Sequence, residues 1–158
     1  MKRTPFTVDA LAPARLEAIR SRGTDDSGNA VLRGRRGEGG EPLRCCLRLA
    51  EPGEQVLLIA YRPFDRPGPY AETGPVFVHA ERCAGYSPQA GYPEAFGDRE
   101  QVFRSYDAEG VITGGRLCSP QERAEDVIAE IFEDGGVERI HTRNVVFGCY
   151  MLQIRRAP

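Results

Sequence analysis

The apolar run Val56-Leu57-Leu58-Ile59-Ala60-Tyr61 limits what this chain can fold into more than any other feature. It does not alternate, so a strand built from it is apolar on both faces, the pattern of a central strand covered on both sides. Pro52-Gly53-Glu54 bounds it as a turn. Six residues are far fewer than the ~20 that a membrane helix needs. Pro75-Val76-Phe77-Val78-His79-Ala80 reads as the next strand, again with both faces partly apolar. Between the two, Arg62 to Pro75 carries four prolines and two glycines. A rigid connection of that length is uncommon unless it shapes a site or covers a core.

The other elements fall around this pair. Phe6-Thr7-Val8 alternates as a short strand. Pro13 opens a helix with Leu16 and Ile19 inward and Gly23 as its stop. Residues 21–42 are rich in Gly, Asp and Arg and predict a mobile surface loop that buries little, with room for a short strand at Ala30 to Arg33. Leu43 to Ala50 stays ambiguous, and Arg82 to Asp98 is irregular. Gln101 to Tyr106 and Val111 to Cys118 form a hairpin about Asp107-Ala108-Glu109-Gly110. Ser119-Pro120-Gln121-Glu122 is a capping box, which predicts a helix from about Pro120 to Phe132 on Ala124, Val127, Ile128 and Ile131. Val137 to Asn144 and Cys149 to Arg156 close the chain as two strands, with Tyr150, Leu152 and Ile154 on one face. Strands outnumber helices and adjoin through tight turns. The expected class is α+β, an antiparallel or mixed sheet with one or two helices packed on it. With 158 residues, 41% of them hydrophobic, one domain over residues 1–158 is expected. There is no internal repeat, and no phosphate-binding Gly loop or G-x-S-x-G elbow.

A net charge of −2 argues against a broad nucleic-acid surface. Arg33-Gly34-Arg35-Arg36-Gly37 reads as a solvated loop, its field cancelled by Asp25, Asp26, Glu38 and Glu41. All basic residues but Lys2 are Arg, so a single Arg is weak evidence for a site. Five cysteines, an odd number, fit a reducing compartment better than a disulfide framework. Met1-Lys2-Arg3-Thr4-Pro5 leads into no apolar stretch of signal-peptide length. A soluble cytoplasmic protein with no nucleic-acid or membrane partner is the expectation.

Several blocks carry a resemblance. Cys46-Leu47-Arg48-Leu49-Ala50-Glu51-Pro52-Gly53-Glu54 runs into Leu58-Ile59-Ala60-Tyr61-Arg62-Pro63-Phe64. Pro69-Tyr70-Ala71-Glu72-Thr73-Gly74-Pro75-Val76-Phe77-Val78-His79-Ala80 and Cys83 follow, and His141-Thr142-Arg143-Asn144 and Gly148-Cys149-Tyr150 come near the end. In that order they resemble the bacterial domain-of-unknown-function family 1203. The resemblance covers nearly the whole chain and implies a single-domain protein of about this size. It implies no activity. In the family pattern a cysteine precedes Cys46 by two or three positions, whereas here Cys45 is adjacent and follows Arg44, which counts against a C-x-x-C-type role for the pair.

Three constellations could carry chemistry. On a strand, His141 and Arg143 share a face, and with Asn144, Arg62, Tyr70 and His79 they suit a small anionic ligand beside the Pro-rich loop. This is the leading expectation, with enzymatic activity left open. Its bland counterpart is a satisfied interior His141 and a loop-capping Arg143. His79, Cys83, His141 and Cys149 could hold zinc tetrahedrally, although no close ligand pair of the usual C-x₂₋₄-C kind supports it. No other cofactor is expected. Cys83 or Cys149 could be a nucleophile activated by His79 or His141, fields from Arg82 and Arg143 favouring the thiolate. Cys45 and Cys46 read as packed or half-exposed thiols, because a disulfide between neighbours is strained. Tyr61, Tyr70 and Phe77 read as core or pocket aromatics. A non-catalytic module that homodimerises through a strand edge is the remaining alternative.

Overall fold

The computed structural model describes residues 5–158. The N-terminal reading therefore lies outside the described residues except at Pro5. The fold is α+β, with two sheets instead of one. The strands β1 (Phe6–Asp9), β6 (Gln101–Tyr106), β7 (Ile112–Cys118), β8 (Arg139–Asn144) and β9 (Tyr150–Arg156) form a five-stranded sheet in the order β1-β9-β8-β6-β7. Every neighbouring pair in it is antiparallel. The strands β2 (Pro42–Leu43), β3 (Arg48–Leu49), β4 (Val56–Tyr61) and β5 (Gly74–His79) form a second sheet, ordered β3-β2-β5-β4. In it β2 runs parallel to β5, and the other pairs are antiparallel.

Each sheet has its own apolar cluster. Phe6, Phe103, Ile140, Leu152 and Ile154 of the larger sheet meet Val127 and Ile128 of helix α3 (Ala124–Ile131) and Phe96 of the short helix α2 (Glu94–Gly97). Val56, Ile59, Val76 and Val78 of the smaller sheet meet Leu16 and Ile19 of helix α1 (Pro13–Arg22). Arg44 ties the sheets together, its buried Nε donating to the Tyr150 carbonyl at 2.8 Å. No helix of the described residues is long and apolar enough to cross a membrane.

Helix α1 begins at Pro13 and ends at Gly23, whose φ of 73° is the left-handed stop that glycine supplies. Three expectations need correction. First, β4 is an edge strand, not a central one. Its free edge is covered by the Gly-rich segment. The Ala60 N–H donates to Asp25 Oδ2 at 2.8 Å, the Asp26 N–H to the Ala60 carbonyl at 3.1 Å, and the Val56 N–H to the Arg35 carbonyl at 3.1 Å. Second, residues 30–33 form no strand; the single bridge there is Thr24 to Ala30. The segment satisfies backbone groups that an edge strand would otherwise leave open. Third, α3 starts at Ala124, later than the capping box suggests. Glu122 does reach back to the Ser119 N–H at 2.9 Å, but it also accepts from Arg116, and the box closes a turn ahead of the helix.

Candidate metal centre

Residues 44–47 join β2 to β3 in one helical turn, closed by the Leu47 N–H on the Leu43 carbonyl at 2.9 Å. In a strand Cys45 and Cys46 would point to opposite faces; in a helical turn neighbours are only about 100° apart. Both sulfurs therefore reach one side. The turn is completed by Leu47 at φ 56°, the sole non-glycine at positive φ among the described residues. A leucine there costs roughly 1–2 kcal/mol. Leu47 is nevertheless buried in the larger core cluster, and burying a leucine returns about 1.5–3 kcal/mol, which offsets the strain.

The parallel pairing of β2 with β5 puts the C-terminal ends of both strands side by side, Leu43 opposite Phe77. His79, the last residue of β5, thus lies against the cysteine turn, and its N–H donates to Cys45 Sγ at 3.2 Å. Its Nδ1 is 3.3 Å from Cys45 Sγ and 3.7 Å from Cys46 Sγ. Cys83 follows in the loop after β5, which Arg20 of α1 holds by donating to the carbonyls of His79 and Glu81 at 2.7 and 2.8 Å. One donor atom from each of Cys45, Cys46, His79 and Cys83 lies within 4.8 Å of the other three, and all the cysteines are free. A cavity of about 20 Å³, room for one water, adjoins Cys45 and Cys83.

On the far side of the imidazole, His79 Nε2 lies 2.6 Å from Glu54 Oε1. Arg48 donates to both oxygens of Glu54, and the Glu51 N–H donates to Oε2 at 2.9 Å. Arg48 first, then the Glu51 amide, hold the Glu54 carboxyl down at about 2. The Cys45 thiol hydrogen-bonds to Cys46, and this, reinforced by His79 and by the Arg48 amide and charge, holds Cys46 down at about 6 against its burial. The same bond, and then burial, push Cys45 up.

Three sulfurs and an imidazole nitrogen form the kind of donor set that zinc prefers. A tetrahedral ion with Zn–S near 2.3 Å and Zn–N near 2.05 Å sets its S···N edges at about 3.6 Å. The two distances found, 3.3 and 3.7 Å, bracket that edge. Backbone N–H groups at sulfur and a carboxylate behind the histidine complete the surroundings that orient such ligands.

Of the zinc set expected from sequence, His79 and Cys83 come together; His141 and Cys149 do not join them. His141 is fully buried in β8 of the other sheet, its ring 4.8 to 5.1 Å from those of Phe64, Tyr106 and Tyr150. Its Nε2 pairs with Gln153 Oε1 at 3.0 Å. Cys149 follows the β8–β9 turn, its sulfur 3.8 Å from the Phe147 carbonyl. The two imidazoles therefore share no hollow. Two signals pointed the wrong way: the adjacency of Cys45 and Cys46, read as packed or half-exposed thiols, and the strand-face pairing of His141 with Arg143. The nearest hint of the cluster was His79-x₃-Cys83 leaving a strand.

Among the residues expected to hold an anion, the arginines are engaged within the chain. Arg143 donates to the Gly148 carbonyl at 2.8 Å and pairs with Glu72 at 2.9 Å, and Arg104 pairs with the same carboxylate at 3.2 Å. The anion that Arg143 holds is the chain's own Glu72, carried in by the Pro-rich loop. Arg62 donates to the Phe64 carbonyl, Asn144 closes the β8–β9 turn through its backbone, and Tyr70 is exposed. A cavity of about 220 Å³ does lie under the Pro-rich loop, but its charged lining is Asp65, Arg66, Glu109 and Arg139.

Neither curated proteins nor solved structures yield a match to this chain. A family model described as a protein of unknown function, DUF1203, matches residues 40–156. That span contains Cys45, Cys46, Glu54, His79 and Cys83, and the chain belongs to this family.

Proposed function

We propose that the protein is a zinc-binding domain in which Cys45, Cys46, His79 and Cys83 hold the ion. The observation that carries this reading is the convergence of four donors from three chain segments within 4.8 Å. Four protein ligands fill a tetrahedral shell and leave no open position, which favours a structural ion over a Lewis-acid catalyst. Bound zinc would pin the cysteine turn to the end of β5 and to the loop beyond. Those are short pieces: β2 and β3 have two residues each, and the segment after His79 has no regular structure before α2.

Elemental analysis of the protein purified under reducing conditions tests this, with one zinc per chain expected. Cobalt(II) substitution should give sulfur-to-metal charge-transfer bands that weaken in Cys46→Ser and Cys83→Ser. At a free-ion concentration 100 times Kd, zinc stabilises the fold by about 2.7 kcal/mol. For a chain of this length that raises Tm by roughly 5–11 °C relative to chelator-treated protein. Absence of stoichiometric metal, together with no cobalt spectrum on reduced protein, overturns the reading.

A second reading has one specific observation behind it. Cys46 Sγ, His79 and Glu54 stand in line, with contacts of 3.7 and 2.6 Å, in the order of a nucleophile, its base and the group that orients the base. It differs from the sequence expectation in the thiol used. Metal-free protein as isolated, with Cys46 alkylated faster than free cysteine, would favour it over zinc.

A further inference from the structure

We infer that Glu54 is the positioning residue that selects the coordinating nitrogen of His79. This rests on the zinc reading. An imidazole can present either nitrogen to a metal, and the hydrogen bond made by the other nitrogen decides which. Glu54 Oε1 lies 2.6 Å from Nε2, and a carboxylate oxygen that close requires a proton on Nε2. The Nε2–H therefore donates to Glu54, which leaves Nδ1 as the nitrogen that faces Cys45 and Cys46. Arg48 Nη2 also lies 3.0 Å from Nε2, and with the proton on Nε2 both nitrogens are donors that share the Oε1 atom. Glu54 cannot swing away easily. Its other oxygen accepts from Arg48 at 3.1 Å and from the Glu51 N–H at 2.9 Å, so the carboxylate is fixed by its own turn as well as by Arg48. Glu51 and Glu54 belong to the β3–β4 turn and Arg48 to β3, and none of them is one of the four donors.

The test uses the full chain, with cobalt(II) as the probe, titrated against a chromophoric chelator. Wild type, Glu54→Gln, Glu54→Ala, His79→Ala and the double variant are compared. Loss of an outer carboxylate behind a ligating histidine weakens metal binding about 10–100-fold, and this is expected for Glu54→Ala. Glu54→Gln keeps an oxygen acceptor without the charge and should fall between. In the His79→Ala background, Glu54→Ala should change cobalt affinity no further, because Glu54 acts only through the imidazole. A general loosening of the turn would weaken both backgrounds alike. Long-range proton–nitrogen spectra of the metal-free protein should show the Nε2–H form of His79 in wild type and Glu54→Gln, and a mixture in Glu54→Ala.

Equal cobalt affinity for Glu54→Ala and wild type overturns the inference and leaves the zinc reading standing. So does an equal penalty with and without His79. Should Glu54→Ala fail to fold, Glu54→Gln decides: wild-type affinity with a mixed tautomer refutes the assignment. Wild type without cobalt charge-transfer bands overturns the zinc reading, and this inference with it.

Discussion

Acidification should weaken the fold through His141, and a single substitution isolates the effect. Burial among Phe64, Tyr106 and Tyr150 pushes this imidazole down from 6.5 to about 4, with Arg143, Arg139 and Arg104 adding to the push against the Gln153 bond. The folded state therefore binds the proton more weakly than the unfolded chain. Stability from this group is complete above pH 6.5 and is lost as pH falls toward 4. Integrating the linkage gives a loss of about 3 kcal/mol by pH 4, of which about 2 kcal/mol falls between pH 7 and pH 5, above the range where most carboxylates titrate. Replacing His141 by Phe keeps a ring of similar shape in the aromatic cage and removes the proton site. It also strips Gln153 Oε1 of its donor, which costs roughly 1–3 kcal/mol at pH 7. Urea unfolding of both proteins at pH 7 and pH 5, with chelator present throughout, supplies the measurement. Every other titrating group is common to the two proteins and cancels in the difference. Wild type should lose about 2 kcal/mol more than His141→Phe on going to pH 5. Equal losses would show that His141 is protonated in the folded state or is as solvated there as in the unfolded chain, and would refute the argument.

Other consequences follow from the same contacts. Leu47→Gly relieves the left-handed backbone but empties a buried site, and the larger apolar term should win with a net loss of about 0.5–1 kcal/mol in thermal melts. Asp25→Ala removes the acceptor for the N–H groups of Ser27, Asn29 and Ala60. It should cost about 2–4 kcal/mol, with amide exchange at Ala60 and Asn29 accelerating before exchange in β5 does. Glu72→Gln breaks half-exposed ion pairs to Arg104 and Arg143 and should cost no more than about 1 kcal/mol. It should also let inorganic phosphate raise Tm, which phosphate should not do for wild type, where the internal carboxylate holds both arginines.

Local chemistry alone identifies much of this molecule. Apolar runs without alternation mark β4 and β5, Pro13 and Gly23 bracket α1, and Asp107 to Gly110 marks the β6–β7 turn, because backbone preference and patterning act over a few residues. The place of β4 at an edge was not legible. Its run is apolar throughout, yet Leu58 is exposed, and the strand's edge is closed by residues 24–36, whose composition reads as solvent-facing. The site divides the same way. Cysteine and histidine as the donors of a candidate zinc site, with His79 and Cys83 among them, follow from residue chemistry, while the spacing of the set expected from sequence spoke against it. That Cys45 and Cys46 complete the set, and that His141 and Cys149 do not, depends on two non-local events. One is the helical turn closed by Leu47, which turns adjacent sulfurs to one side. The other is the parallel pairing of β2 with β5, which brings His79 against them across more than thirty residues of chain. Strand order carries no local signature, since any strand of suitable pattern can pair with any other until the whole core is packed, and so only the tertiary structure decided which imidazole meets the thiols.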